Sequence, residues 1–270
     1  MAKIESAFFD IGTLDRLASR DNLLSRLDPR AKVITTLFFV IMVVSSNKYE
    51  VSALLPFFLF PVILIAVADL PLDYLLKKLL IAAPFALFVG IFNPFFDPSP
   101  QMQLYGVTIS GGWLSFFSIM LRSILTVSAA LILIATTSFT GVCLALERLG
   151  APRPFVLQLL FLYRYLFVLI DEGVRLHRAQ TLRSFNGRGR GVKVFGSLLG
   201  QLLLRTLDRA QRIHMAMLCR GFDGEVRMTR RLHIGVPEVL FVSGWGCAFL
   251  LFRFYNLPQS LGLLVERLIG

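Results

Sequence analysis

The amino-acid sequence predicts an all-α integral membrane protein, with about five transmembrane helices and two long amphipathic helices on the cytoplasmic side. Hydrophobic residues fill 56% of the 270 positions. The 25 Phe and the mean hydropathy of +0.70 exceed what an ordinary soluble domain carries. Several charge-free stretches approach the roughly 20 residues that a spanning helix needs. Most Lys and Arg residues lie between those stretches.

Five apolar segments are predicted to cross the membrane, and the only charge inside them is Arg122 in the fourth. The first follows the sequence LDPRAK, in which Asp28 suits the N-cap and Pro29 the first helical position. Arg30 and Lys32 are expected to extend to lipid headgroups. The five segments are residues 33–47, 51–68, 79–96, 113–137 and 239–252.

Short polar connections are expected to join these segments. Residues 69–78 return the chain on the basic side, and the prolines of NPFFDPSPQ end the third helix on the opposite side. The following YGVTISGGW has the composition of a small hairpin. Its last residue, Trp113, is expected at the membrane interface.

The distribution of cations predicts the orientation. If residues 1–32, 69–78 and 138–236 face the cytoplasm, that side holds 24 of the 28 Lys and Arg. This asymmetry follows the positive-inside rule, so the net charge of +11 requires no nucleic-acid partner. The predicted organisation has three parts. They are 1–137, a cytoplasmic leader with four spans; 138–236, a cytoplasmic domain with two long helices; and 237–270, a last span and tail.

The two long helices differ in character. In residues 192–220 polar side chains recur every three or four positions, which predicts an amphipathic helix with one water-facing stripe. Residues 155–183 begin with an apolar half that could form a sixth span. Gln158, Arg164 and the polar second half favour a helix lying at the membrane surface.

Both long helices end in nearly the same sequence. RLHRAQTLRSFNGRGR begins at Arg175 and RIHMAMLCRGFDGEVR begins at Arg212. A cation followed by glycine is an ordinary helix stop. A matched pair also suits insertion into two similar sockets, such as those of a symmetric dimer, where the planar guanidinium fork binds carboxylates or carbonyls. The candidate residues are Leu182, Arg183, Ser184 and Cys219, Arg220, Gly221, with Phe185, Gly187, Phe222 and Gly224 supporting the ends.

With these features the chain resembles the transmembrane coupling (T) component of energy-coupling factor importers, most closely the cobalt (CbiQ-like) branch. The resemblance rests on the RLDPRAK motif, the apolar spans and the two Arg endings, which in that family read close to Ala-Arg-Ser and Ala-Arg-Gly. Here Leu182 and Cys219 replace the Ala residues.

The resemblance implies a non-catalytic scaffold in the bacterial inner membrane. Two cytoplasmic ABC-type ATPases would each receive one Arg-tipped helix, and residues 138–236 would act as the coupling domain. A separate membrane subunit would bind the substrate, cobalt or nickel, with a vitamin as a further family substrate. No cofactor is expected in this chain.

Other functions receive less support from the sequence. A stand-alone secondary transporter would show inverted repeats, and a membrane-embedded enzyme would show motifs such as HExxH or GxSxG, which do not occur. The phosphate-binding motif GxxxxGK[ST] does not occur either. The three His and three Cys have no metal-ligand spacing. Arg122 either packs against backbone carbonyls or contacts the substrate-binding subunit.

Overall fold

The computed structural model describes residues 15, 17–18, 23–47, 51–93, 100–104, 107–183, 191–224 and 235–254. Nine α-helices lie within this part of the chain, together with one 3₁₀ segment, Ser52–Phe58, and one two-stranded hairpin. The helices are α1 Leu23–Arg26, α2 Pro29–Val44, α3 Leu59–Ala68, α4 Leu72–Gly90, α5 Gly111–Thr137, α6 Phe139–Arg148, α7 Arg153–Arg183, α8 Val192–Cys219 and α9 Val236–Phe254.

This architecture confirms the predicted all-α membrane fold. Three helices of the described chain, α5, α7 and α9, are long and apolar enough to cross a bilayer, because each contains an 18-residue stretch with a mean hydropathy of 2.1, 1.6 and 1.4, respectively. The 3₁₀ segment and α3 together form a shorter apolar helix, Ser52–Ala68. Helix α7 qualifies by length and composition, so both a sixth span and a surface helix remain compatible with it.

Two connections differ in their bounds from the prediction. Helix α4 already begins at Leu72, so the predicted connection 69–78 shrinks to the few residues around Asp69, which adopts a left-handed φ of 48°. A hairpin does form, but the predicted segment 105–113 supplies only its second strand, because the first strand precedes that segment and Gly111 already begins α5. Strands β1 (Pro100–Leu104) and β2 (Val107–Ser110) pair antiparallel, with Leu104 opposite Val107.

Two compact units make up the chain. The first contains the described residues up to Ala145 and those from Gly235 onward, and the second contains those between Leu146 and Gly224. The first unit therefore holds α1 to α5, most of α6, and α9. The second holds α7 and α8, which pack against each other.

An aromatic cluster forms the centre of the first unit. Phe39 of α2 stacks on Phe60 of α3 with ring centroids 4.6 Å apart, and Phe249 of α9 lies 5.3 Å from Phe39. Trp245 meets Phe60 edge-on at 4.9 Å. Lipid tails are as apolar as these side chains, so close packing rather than exclusion of water is what favours their contact.

Helix α2 begins with a buried polar cluster. The Asp28 carboxylate accepts a hydrogen bond from the Arg30 amide at 2.9 Å, which confirms Asp28 as the N-cap. The Asp28 amide donates to Glu238 of α9 at 3.3 Å, and Glu238 also accepts from the Gly235 amide at 2.9 Å. These contacts join the first turns of α2 and α9.

Lys32 does not extend to the headgroups as expected. Its side chain is buried, and its Nζ atom donates to the carbonyl oxygen of Thr136, in the last turn of α5, at 2.9 Å. A cation at a helix C-terminus is favoured because the helix dipole is negative there. Lys32 therefore fastens α2 to the end of α5.

We expect Lys32→Ala to lower the free energy of unfolding by about 1.5–3 kcal/mol, because it removes a charged hydrogen bond and leaves the buried Thr136 carbonyl without the donor of Lys32. The matched control is Lys77→Ala on the exposed side of α4, expected to change stability by less than about 0.5 kcal/mol. Thermal unfolding of the purified chain in detergent measures both. Equal losses in the two variants would contradict the role assigned to Lys32.

Candidate functional site

The candidate site consists of the C-terminal ends of the two long helices of the second unit. Helix α7 ends at Arg183, which is its last residue and is exposed. The preceding Leu182 is 75% exposed, although it is a large apolar side chain. Ser184, Phe185 and Gly187 lie outside the described residues.

Helix α8 ends in a complete Schellman motif. The Phe222 amide donates to the Met217 carbonyl at 3.0 Å, and the Gly221 amide donates to the Leu218 carbonyl at 3.0 Å. Gly221 adopts a φ of +75°, the left-handed conformation that this motif requires. The motif turns the chain sharply and leaves Arg220 at the tip of the helix, with Cys219 as the last helical residue.

The residue that terminates α8 differs from the expectation. Gly224 does adopt a left-handed φ of +87°, but it lies beyond the turn that has already ended the helix at Gly221. The position equivalent to Gly221 in the first copy is Ser184, which has a Cβ atom. The two endings therefore match in their Arg and Phe residues but not in the glycine that stops the helix.

Both tips present guanidinium groups that are available for binding. Within the described chain, neither Arg183 nor Arg220 forms a side-chain hydrogen bond or an ion pair, and both are exposed. Each guanidinium carries five N–H donors in a planar fork. Leu218 is 50% exposed beside the second tip, as Leu182 is beside the first. Each tip thus combines a cation with an apolar neighbour.

An ion-pair network joins the two helices away from the tips. Arg205 of α8 donates from Nη1 to Oε1 of Glu172 on α7 at 2.6 Å, and Arg175 lies 3.3 Å from the other Glu172 oxygen. Glu172 is not among the residues that the sequence predicted to be functional. The only signal for it was the opposite charge of two residues on separate helices, which does not specify a partner.

The exposed surface of α8 is wider than the predicted polar stripe. Gln201, Arg205, Asp208 and Arg212 are exposed as expected. An apolar row is exposed as well, because α7 covers only one side of the helix. This row consists of Phe195, Leu199, Leu203 and Leu207, which are 49–62% exposed.

Arg122 lies in the first unit, apart from the two tips. Its Nη2 atom donates to the backbone carbonyl of Ser46 at 2.7 Å, just beyond the end of α2. This is the packing against a backbone carbonyl that the sequence allowed. The contact with a substrate-binding subunit stays a prediction.

The residues able to bind metals are dispersed. His177 and His214 are exposed on different helices, and His233 lies outside the described residues. Within the described chain, no three His, Cys, Asp or Glu side chains are grouped so that they could hold a metal ion. Cys143 is buried, and burial raises the pKa of its thiol, which disfavours the reactive thiolate.

Comparison with known proteins adds a family relationship. The family model CbiQ, described as a cobalt transport protein, matches residues 20–230, a range that contains LDPRAK and both Arg endings. The cobalt transport protein CbiQ of Salmonella typhimurium is 31% identical over 159 residues, covering 54% of this chain and 71% of that protein.

Two further relatives align over more of the chain. The energy-coupling factor transporter transmembrane protein EcfT of Leuconostoc gelidum subsp. gasicomitatum is 28% identical over 233 residues, which cover 80% of this chain and 86% of the relative. An uncharacterized protein of Methanocaldococcus jannaschii is 25% identical over 240 residues, which cover 82% and 78% of the two chains.

The α8 terminus generates a test with a matched pair of glycines. Gly221→Ala is expected to cost about 1–2 kcal/mol, because an L-residue is strained at positive φ. Gly200→Ala, in the middle of α8 with open space around its Cβ position, is expected to stabilise by about 0.5–1 kcal/mol. Thermal unfolding gives the stabilities, and hydrogen exchange of the last turn of α8 localises the effect. Equal effects of both substitutions would refute this assignment of the helix stop.

Proposed function

The chain belongs to the CbiQ family of cobalt transport proteins, and from that premise we propose that it is the membrane scaffold through which two cytoplasmic ABC-type ATPases drive an importer. It is a CbiQ-like transmembrane component and a subunit of a membrane transport system. It catalyses no chemistry in this proposal, and ATP hydrolysis takes place in the partner subunits. In this proposal the chain is located in the inner (plasma) membrane.

The observation that carries the proposal is the pair of exposed Arg tips. Arg183 and Arg220 each stand at the end of a helix of about 40 Å, and their guanidinium groups have free donors. Two equivalent ATPases present two equivalent sockets, so a repeated tip is what such a pair requires. The adjacent Leu182 and Leu218 add apolar contact area.

The route of coupling runs along α7 and α8 in this proposal. A displacement of one tip would pass to the other helix through the packing of α7 against α8, to which the exposed Arg205–Glu172 contact contributes. The exposed apolar row on α8 provides a surface for the separate membrane subunit that binds the substrate. The side chains of this row are apolar, so their lasting exposure to water is unfavourable.

Cobalt is the proposed substrate, with nickel as the second candidate. The support is the family description and the name of the Salmonella typhimurium relative. In this proposal the ion is cargo recognised by the separate membrane subunit, so this chain needs no cluster of metal ligands.

The proposed orientation is tested by cysteine labelling. In a background with Cys143, Cys219 and Cys247 replaced by Ser, a cysteine at position 99 should react with an impermeant reagent added outside. A cysteine at position 189 should react only after the membrane is permeabilised. The positive-inside distribution of Lys and Arg is the reason for this expectation. The reverse pattern of labelling would overturn the orientation.

The scaffold function is tested by Arg183→Ala and Arg220→Ala. Each single change should weaken ATPase binding by about tenfold to a hundredfold, because a buried charged hydrogen bond is lost. The double variant should lose nearly all binding, since the two sites act on one rigid subunit. Lys should substitute poorly because it lacks the planar fork. Co-purification of the ATPases and ATP-dependent cobalt uptake measure these effects.

The matched controls are Arg178→Ala on α7 and Arg212→Ala on α8. Both remove an exposed Arg from the same helices without altering a tip, so both should assemble and transport normally. Substrate binding to its own membrane subunit should survive in every variant. Normal assembly and uptake by the double Arg183→Ala, Arg220→Ala variant would show that the tips are ordinary helix stops.

A further inference from the structure

Two arginines from different helices meet at the C-terminal end of α2. Arg122 of α5 donates to the Ser46 carbonyl at 2.7 Å, and Arg253 of α9 donates from Nη2 to the Ser45 carbonyl at 2.6 Å. The acceptors belong to consecutive residues, so two permanently charged groups are held close together. Two like charges that are held near each other repel.

The described chain does not neutralise this pair. No acidic side chain among the described residues forms an ion pair with Arg122 or Arg253. The end of α2 contributes roughly −0.5 of a charge, against +2 from the guanidiniums. In addition, the Nε atom of Arg122 is buried and has no hydrogen-bond partner in the described structure. Burial places that atom out of reach of a ligand, so an anion beside the pair would offset the charge alone.

A cavity of about 230 Å³ is lined by Arg253 and by the end of α2, whereas Arg122 is not part of its lining. Arg253, Ser46 and Asn47 form one part of its lining, and three aromatic rings form another. The rings belong to Phe57, Phe252 and Phe254. The cavity is several times the roughly 30 Å³ share of a water molecule. Its lining combines donors for an anion with an apolar surface for hydrocarbon.

We propose that Arg253 binds the phosphate group of an anionic phospholipid in this cavity, while the neighbouring charge of Arg122 strengthens the attraction. Guanidinium groups bind phosphate oxygens through paired, charge-assisted hydrogen bonds. The phenyl rings would contact the glycerol and the first acyl carbons, which a free phosphate ion lacks. The site is independent of the proposed ATPase contacts, because it involves none of the residues at the tips of α7 and α8.

A bound lipid would stabilise the fold. It would offset the repulsion between the two guanidiniums and would contact both the C-terminal end of α2 and the last turn of α9. Because the unfolded chain does not form this cavity, binding should raise the midpoint of thermal unfolding as lipid is added.

The experiment is native mass spectrometry of the purified full chain in detergent, with phosphatidylglycerol, phosphatidylcholine or inorganic phosphate added separately. Wild-type protein should retain phosphatidylglycerol at least about tenfold better than phosphatidylcholine, whose trimethylammonium group is repelled. Inorganic phosphate should compete with phosphatidylglycerol, because both use the same donors. Phosphatidylglycerol should also raise the midpoint of thermal unfolding.

The decisive variant is the double change Arg122→Gln, Arg253→Gln, which should lose the preference for phosphatidylglycerol. The double Lys variant keeps the charge without the fork and should bind with intermediate strength. The matched control, Arg26→Gln with Arg148→Gln, removes the same charge elsewhere and should behave as wild type.

Several outcomes would overturn the proposal. They are equal retention of both lipids by wild-type protein, unchanged selectivity in the Gln variant, and binding of inorganic phosphate without selection of phosphatidylglycerol. If the Gln variant fails to fold, the wild-type selectivity and the Lys variant still decide the result.

Discussion

Helix α2 is held at both ends by charged side chains that act between helices. At its start, Glu238 of α9 accepts from the Asp28 amide, and Lys32 donates to the last turn of α5. At its end, Arg253 of α9 and Arg122 of α5 donate to the terminal carbonyls. Hydrocarbon offers backbone groups no hydrogen bonds, so these contacts are made within the protein. They bind the same three helices together twice.

Between these two sets of contacts, packing determines the first unit. The rings of Phe39, Phe60 and Phe249 fill the space among α2, α3 and α9. Because apolar side chains gain little by leaving lipid, ring contacts alone would specify neighbours weakly. The polar contacts at the helix ends add the directional component, since each requires one donor to reach one particular acceptor.

In the second unit, the exposed helix ends are the basis of the proposed function. The Schellman motif at Gly221 ends α8 and leaves Arg220 projecting from the tip. The Arg205–Glu172 contact joins α8 to α7, so the two tips belong to one connected pair of helices.

The sequence by itself determined the features that depend on neighbouring residues. Composition specified the membrane, the Asp28-Pro29 pair specified the start of α2, and the glycines after Arg220 indicated that a helix ends there, although not which glycine ends it. The repeated Arg endings were recognisable because similarity between two segments needs no knowledge of the fold.

The tertiary structure decided which distant groups meet. Lys32 reaches Thr136 across 104 residues, Glu238 reaches Asp28 across 210, and Arg122 reaches Ser46 across 76. Each of these side chains has several possible partners in the sequence. A buried charged group forms a hydrogen bond with whichever partner the packing of the helices brings within reach. For the same reason, the sequence context of Lys32 led to the wrong prediction that its side chain reaches the headgroups. The position of α5 shows that Lys32 instead donates a hydrogen bond inside the protein.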